Sequence, residues 1–153
     1  MVAVKNILVP IDFSETSKHV LDVARMLADA CGASLHLLHV IGYPLATTHT
    51  LEQERGDVCA RLDGLLNSVD RERHATVSCR VGTPAREIVD YATERGTDLI
   101  VMGTHWHGPT FQMVGGSIAE SVLGLAPCPV LAVKGAERGS RSTSDRLPAT
   151  ASM

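Results

Sequence analysis

A chain of 153 residues, 44% hydrophobic and 20% charged, has the size and balance of a single folded domain with an ordinary core. Fourteen Lys and Arg against 17 Asp and Glu give a formal charge of −3, which argues against the clustered cationic excess that a broad nucleic-acid footprint needs. No apolar run approaches the roughly 20 residues that span a bilayer, and the first ten residues are too short and too strand-like for a secretory signal, so a cytoplasmic protein is expected.

Residues 4–9 are an apolar, β-branched run ended by Pro10, the pattern of a strand buried on both faces. Ser14 then stands where a helix cap belongs, ahead of an apolar stripe of Val20, Leu21, Val23, Ala24, Leu27 and Ala28 that Gly32 stops. A second strand is predicted over 34–41. After a loop to about residue 50 comes a polar helix of about 20 residues, with Leu51, Val58, Leu62, Leu65, Leu66 and Val69 at helical spacing. Residues 74–81 read as a third, less buried strand. Thr83 and Pro84 suit the cap and first position of a helix whose core face is Ile88, Val89 and Ala92 and whose end is Gly96.

A short apolar strand over 98–102 follows, then a loop rich in Gly and His. Ser117 with Glu120 three residues on is a reciprocal capping pattern that opens a helix. The last strand is predicted over 128–134, with Pro129 fitting a sheet edge because proline cannot donate to a ladder. Five strands separated by four helices imply an α/β fold, a parallel sheet with right-handed crossovers. Residues 1–135 form the domain, and the Ser, Thr, Arg and Gly composition of residues 136–153 suggests a flexible tail. Cys31, Cys59, Cys79 and Cys128 show neither a C-x-x-C pair nor zinc-ribbon spacing, and read as small half-buried side chains of a reduced compartment.

Open parallel sheets bind ligands at the carboxyl ends of their strands, where the winding reverses. Composition and spacing do not choose between the order 3-2-1-4-5 and its flavodoxin-like permutation. In the former the reversal lies between strands one and four, whose ends carry Pro10, Ile11 and Asp12 on one side and Met102, Gly103 and Thr104 on the other. The helix beginning at Gly116 and Ser117 can turn its unpaired N–H groups toward that crevice, which favours an anion. The chain has no G-x-x-x-x-G-K-[ST] loop, no glycine fingerprint after the first strand and no G-x-S-x-G elbow.

Val9-Pro10-Ile11-Asp12-Phe13-Ser14, Leu37-Leu38-His39-Val40, Gly82-Thr83-Pro84, the run from Asp98 through Gly103 to His105, and Gly116-Ser117-Ile118-Ala119-Glu120 followed by Ala126-Pro127-Cys128-Pro129-Val130 together resemble the universal stress protein family. The resemblance runs in unbroken order over roughly residues 1–135. It implies a five-stranded parallel sheet of order 3-2-1-4-5 with helices on both faces. It also implies a homodimer paired along the last strand and a role in stress adaptation rather than metabolism.

A nucleotide-binding branch of the family carries G-x2-G-x9-G-[ST] after the fourth strand. Here Gly103 fills the first place and Gly116-Ser117 the last, while Trp106 stands at the second glycine. By carry-over, Pro10, Ile11, Asp12, Val40, Met102, Gly103, Gly116 and Ser117 would hold ATP or another adenine nucleotide. Asp12 would face the nucleoside, Val40 would offer backbone groups to adenine, and Ser117 would meet phosphate. The bland counterparts are a helix-capping Asp12, an ordinary strand residue at Val40, a simple turn at Gly103 and a plain cap at Ser117. The alternative to a nucleotide sensor is a nucleotide-free interaction module with Trp106 plugging the pocket.

His105 and His107, with Asp12 or His39, are too few and too loosely spaced to predict a metal. His36 and His39, an odd number apart on a strand, face opposite sides. No orienting group accompanies Ser117, so no enzyme is expected.

Overall fold

The computed structural model describes residues 3–42, 50–104 and 117–134. Its elements in chain order are β1 (Asn6–Pro10), α1 (Glu15–Cys31), β2 (Ser34–Ile41), α2 (Leu51–Asp63), α3 (Ser68–Glu72), β3 (Thr76–Val81), α4 (Pro84–Glu94), β4 (Leu99–Gly103), α5 (Ile118–Leu125) and β5 (Val130–Val133). All pairings are parallel, and the strands lie in the order β3-β2-β1-β4-β5. The reversal therefore falls between β1 and β4, as the 3-2-1-4-5 expectation requires.

Alternation along the strands divides the core into two layers. Ile7, Val9, Leu35, Leu37 and Val101 pack on one face against Val20, Leu21 and Ala24 of α1 and Val58 and Leu62 of α2. Leu8, Leu38, Val40, Ile100 and Met102 pack on the other against Ile88, Tyr91 and Ala92 of α4 and Ala119 and Val122 of α5. Burial on both faces explains why these strands read as continuous apolar runs.

The 20-residue helix expected after residue 50 is two helices. Asn67 caps α3 with a full reciprocal box, its side chain accepting from Asp70 N while Asp70 Oδ2 accepts from Asn67 N. That local bonding competes with continued helix, so the apolar periodicity runs across a break. Leu51 and Val69 are exposed, while Val58 and Leu62 carry the buried face. Thr50 caps α2 with a box of its own through Gln53.

Several boundaries also move. β3 starts at Thr76 because His74 takes a left-handed turn, φ 59°. β5 starts at Val130, after Pro129 has given its carbonyl to Ile100 N. Of the Ser117 and Glu120 box only one half forms: Ser117 Oγ accepts from Glu120 N at 3.1 Å. Ser14 and Thr83 occupy the cap positions of α1 and α4 without a side-chain bond to the helix amides. Residues 136–153 lie outside the described residues.

Cys31 is exposed at the end of α1, not half-buried, whereas Cys79 is buried and its thiol is pushed up to about 11 by that burial, with Cys59 adding to the effect. Among the described residues no helix is long and apolar enough to cross a membrane.

Candidate functional site

The carboxyl end of β1 runs straight into the first turn of α1, and the link is held by Asp12. Its Oδ1 accepts from Ser14 N at 3.0 Å, from Ser14 Oγ at 2.6 Å and from Ser17 Oγ at 2.6 Å, while Asp12 N donates to Ser17 Oγ at 3.3 Å. Ser14 thus turns its hydroxyl back to Asp12 instead of capping α1. The positive end of the helix favours the carboxylate at this place.

Pro10, Asp12 and Gly103 line one narrow crevice of about 10 Å³, together with Ser14, Thr16, Ser17 and Val20. Three of the residues expected at the site are therefore brought together where β1 and β4 diverge. Gly103 is the last residue of β4, in extended backbone and paired with Val133 of β5. A carboxylate at the crevice mouth repels phosphate and accepts from hydroxyl or amino groups, so Asp12 suits the sugar or base of a ligand.

Val40 is a buried side chain of the α4 and α5 layer. Its main chain is placed differently. Leu38 O accepts from Ile11 N, and Ile41 O accepts from Gly82 N on the opposite side. Successive peptides of a parallel strand alternate sides, so Val40 shares the Leu38 direction and faces the space beyond the end of β1. Ile11 and Met102 are fully buried on opposite layers, and neither lines the narrow crevice. Ser117 caps α5, and using its Oγ as an acceptor leaves the hydroxyl hydrogen to donate. Gly116, Trp106, His105 and His107 lie outside the described residues.

The two strand histidines do face opposite layers. His39 sits beside Phe13, ring centroids 4.9 Å apart, with Nδ1 2.6 Å from Ile11 O. A carbonyl only accepts, so Nδ1 carries the proton. His36 contacts Thr76 Oγ1 at 2.6 Å through Nδ1 and Asn6 Oδ1 at 3.1 Å through Nε2. Burial lowers both pKa values below the ordinary 6.5, with Arg95 assisting at His36, while at His39 the Ile11 carbonyl and Asp12 pull partly the other way.

A histidine with a lowered folded pKa binds its proton more readily when unfolded, so its stabilising contribution is present above pH 6.5 and lost as pH falls from 6.5 through the folded value. Urea midpoints measured from pH 7.5 to 5 should decline through that window. A His36→Gln, His39→Gln pair should flatten the decline, and an unchanged slope in the pair would contradict this assignment.

Sequence reading passed over Ser17, Phe13, Tyr91 and Arg61. Ser17 had a local signal, the Asp-x-Ser-x-x-Ser spacing from Asp12. Phe13 takes φ 62°, and the Arg61 guanidinium lies 3.8 Å from its ring centroid. Tyr91 is buried with its hydroxyl 3.3 Å from Ser78 Oγ, and Arg80 lies over its ring. Nothing local in the sequence announces those two pairings.

The profile of the universal stress protein family matches residues 3–134, a span that takes in every described residue. The chain belongs to the universal stress protein family. Universal stress protein YxiE of Bacillus subtilis (strain 168) is 33% identical over 143 residues, covering 83% of this chain and 97% of that protein. Universal stress protein MJ0577 of Methanocaldococcus jannaschii is 28% identical over 160 residues. Its solved structure superposes with a TM-score of 0.70 at 29% identity, covering 89% of this chain and 99% of the other. A universal stress protein from Archaeoglobus fulgidus, solved in complex with dAMP, shares the fold at a TM-score of 0.59 and 23% identity, covering 87% and 100%. The sheet order of this universal stress protein domain agrees with those neighbours.

Proposed function

We propose that this universal stress protein binds an adenine nucleotide across the β1 and β4 ends and works in stress adaptation as a cytoplasmic homodimer, by binding rather than by turnover. The observation that carries the reading is the meeting of Pro10, Asp12 and Gly103 at the winding reversal, with the Val40 main chain facing the same open end. Asp12 would accept from the nucleoside, Val40 would pair with the base, and the α5 terminus at Ser117 would take phosphate. A neighbour of the same fold solved in complex with dAMP supports this reading.

Support for pairing comes from β5, which has only β4 as a neighbour among the described strands and leaves Leu131 39% exposed, while on the other face of the sheet Leu123 and Leu125 of α5 are 53% and 66% exposed. An apolar edge strand of this kind is a natural template for a second copy.

The crevice volume favours a second reading. A space of about 10 Å³ holds roughly one water, which suits a nucleotide-free interaction module, with Trp106 as the plug. One experiment separates the two. Protein whose mass in solution has been measured is titrated with ATP by calorimetry. The sensor gives saturable heat and, at about a hundredfold excess over Kd, a gain of roughly 2.7 kcal/mol in stability, seen as a higher melting temperature. No heat at millimolar ATP rejects it. Trp106→Gly should then restore binding, and a silent variant would remove the plug as the cause.

A further inference from the structure

A second cleft opens on the opposite side of the first turn of α1, between that helix and the carboxyl end of α2. It encloses about 350 Å³, within the range of small-molecule sites. Its floor is apolar: Ile11, Phe13, Leu21 and Leu65. Lys18 from α1 and Arg61 from α2 stand at its walls, and no acidic residue lines it. None of the ion pairs among the described residues uses either cation.

Two further features set this cleft apart from an ordinary gap between helices. Phe13 is an aromatic residue in the left-handed region, φ 62°, a conformation such side chains rarely adopt. That backbone places its ring against His39 on one flank and beneath the Arg61 guanidinium at 3.8 Å. A guanidinium stacked by its flat face keeps its N–H edge for an oxyanion.

The other feature is Gly64, which also lines the cleft. It lies at φ −64° and ψ −18°, where any residue fits, and an added Cβ would meet only Ala60 O and Arg61 O at 3.4 Å. No backbone requirement calls for glycine there, and the missing side chain leaves the mouth open.

We infer that this cleft is a binding site for a small amphipathic anion, an apolar body ending in one carboxylate, with the body on Phe13, Leu21 and Leu65 and the carboxylate between Lys18 and Arg61. The cleft shares Ile11 with the residues expected at the nucleotide site, but its cations and the rest of its floor include none of Pro10, Asp12, Val40 or Gly103, so the inference does not rest on the nucleotide reading.

The test uses 1-anilinonaphthalene-8-sulfonate as a fluorescent probe on the full chain, with decanoate as competitor and decanol as its uncharged counterpart. Single-site probe binding displaced by decanoate is expected. The double variant Lys18→Gln, Arg61→Gln should weaken decanoate at least tenfold and decanol less than twofold. Gly64→Phe should abolish the binding of both while keeping the melting temperature. Absence of displacement by decanoate would overturn the inference, and so would equal losses for decanoate and decanol in the double variant. Wild-type binding by a folded Gly64→Phe variant would do the same. ATP titration of the same samples reads the other site separately.

Discussion

Replacing Arg25 by leucine is expected to cost about 3 kcal/mol of folding stability, the lower end of what breaking a buried ion pair removes. Asp70 is only 5% exposed and Arg25 24%. The guanidinium donates to Asp70 Oδ2 from Nε at 3.1 Å and from its terminal nitrogen at 2.7 Å, and that nitrogen also donates to Leu65 O at 2.5 Å. Removal strands a carboxylate away from water and releases the segment joining α2 to α3.

For a chain of this size about 3 kcal/mol corresponds to a fall of roughly 6–12 °C in melting temperature. Urea denaturation of Arg25→Leu, Asp70→Leu and the double variant measures it. The double variant should recover part of the loss, since replacing both partners removes the stranded charge. Asn67 N still loses its acceptor, so recovery stays incomplete. A loss below about 1 kcal/mol in Arg25→Leu would show that the pair behaves as an exposed one.

The second large effect is expected at Asp12. Alanine there removes the acceptor of two hydroxyls and one amide, and leaves the buried Ser17 without its carboxylate partner. Loss of a cap costs up to about 2 kcal/mol, and that is the figure expected for Asp12→Ala. Asparagine keeps an oxygen at the same place, so Asp12→Asn should lose less than about 1 kcal/mol.

ATP binding should respond to charge instead. A carboxylate that accepts from a ribose or amino group forms a charge-assisted bond, so Asp12→Asn should weaken ATP roughly tenfold, about 1.4 kcal/mol, despite its near-native stability. Calorimetry on the two variants reads both quantities. Equal ATP affinity in Asp12→Asn and the parent would leave Asp12 as a capping residue alone.

The sheet was readable because its signals are local and redundant. Each buried strand is a continuous apolar run, and each helix between strands carries its stripe and a stop such as Gly32 or Gly96. The strand order came from the family motifs, since periodicity is blind to which strands are neighbours. The break between α2 and α3 was also written locally, as Asn67 with Asp70 three residues on, but the apolar spacing from Leu51 to Val69 runs across it and masks it.

At the candidate site, Pro10, Asp12 and Gly103 were legible because a parallel sheet puts strand ends together once its order is known. The engagement of Asp12 by Ser14 and Ser17 is a matter of hydroxyl rotamers, which residue types do not determine. Pairings between distant positions, Arg25 with Asp70 and Arg61 with Phe13, have no signature in a single sequence. The cleft that depends on Phe13 and Arg61 was invisible for that reason.

Ser14 and Ser17 border both the narrow crevice and the larger cleft. The opening turn of α1 is thus a partition between two hollows, and Ser17 is anchored to Asp12 across it. Whatever displaces that partition from one chamber reshapes the other. Thermodynamic reciprocity then fixes the rule for any such cross-talk: the factor by which one occupant alters the other's affinity is the same in both directions.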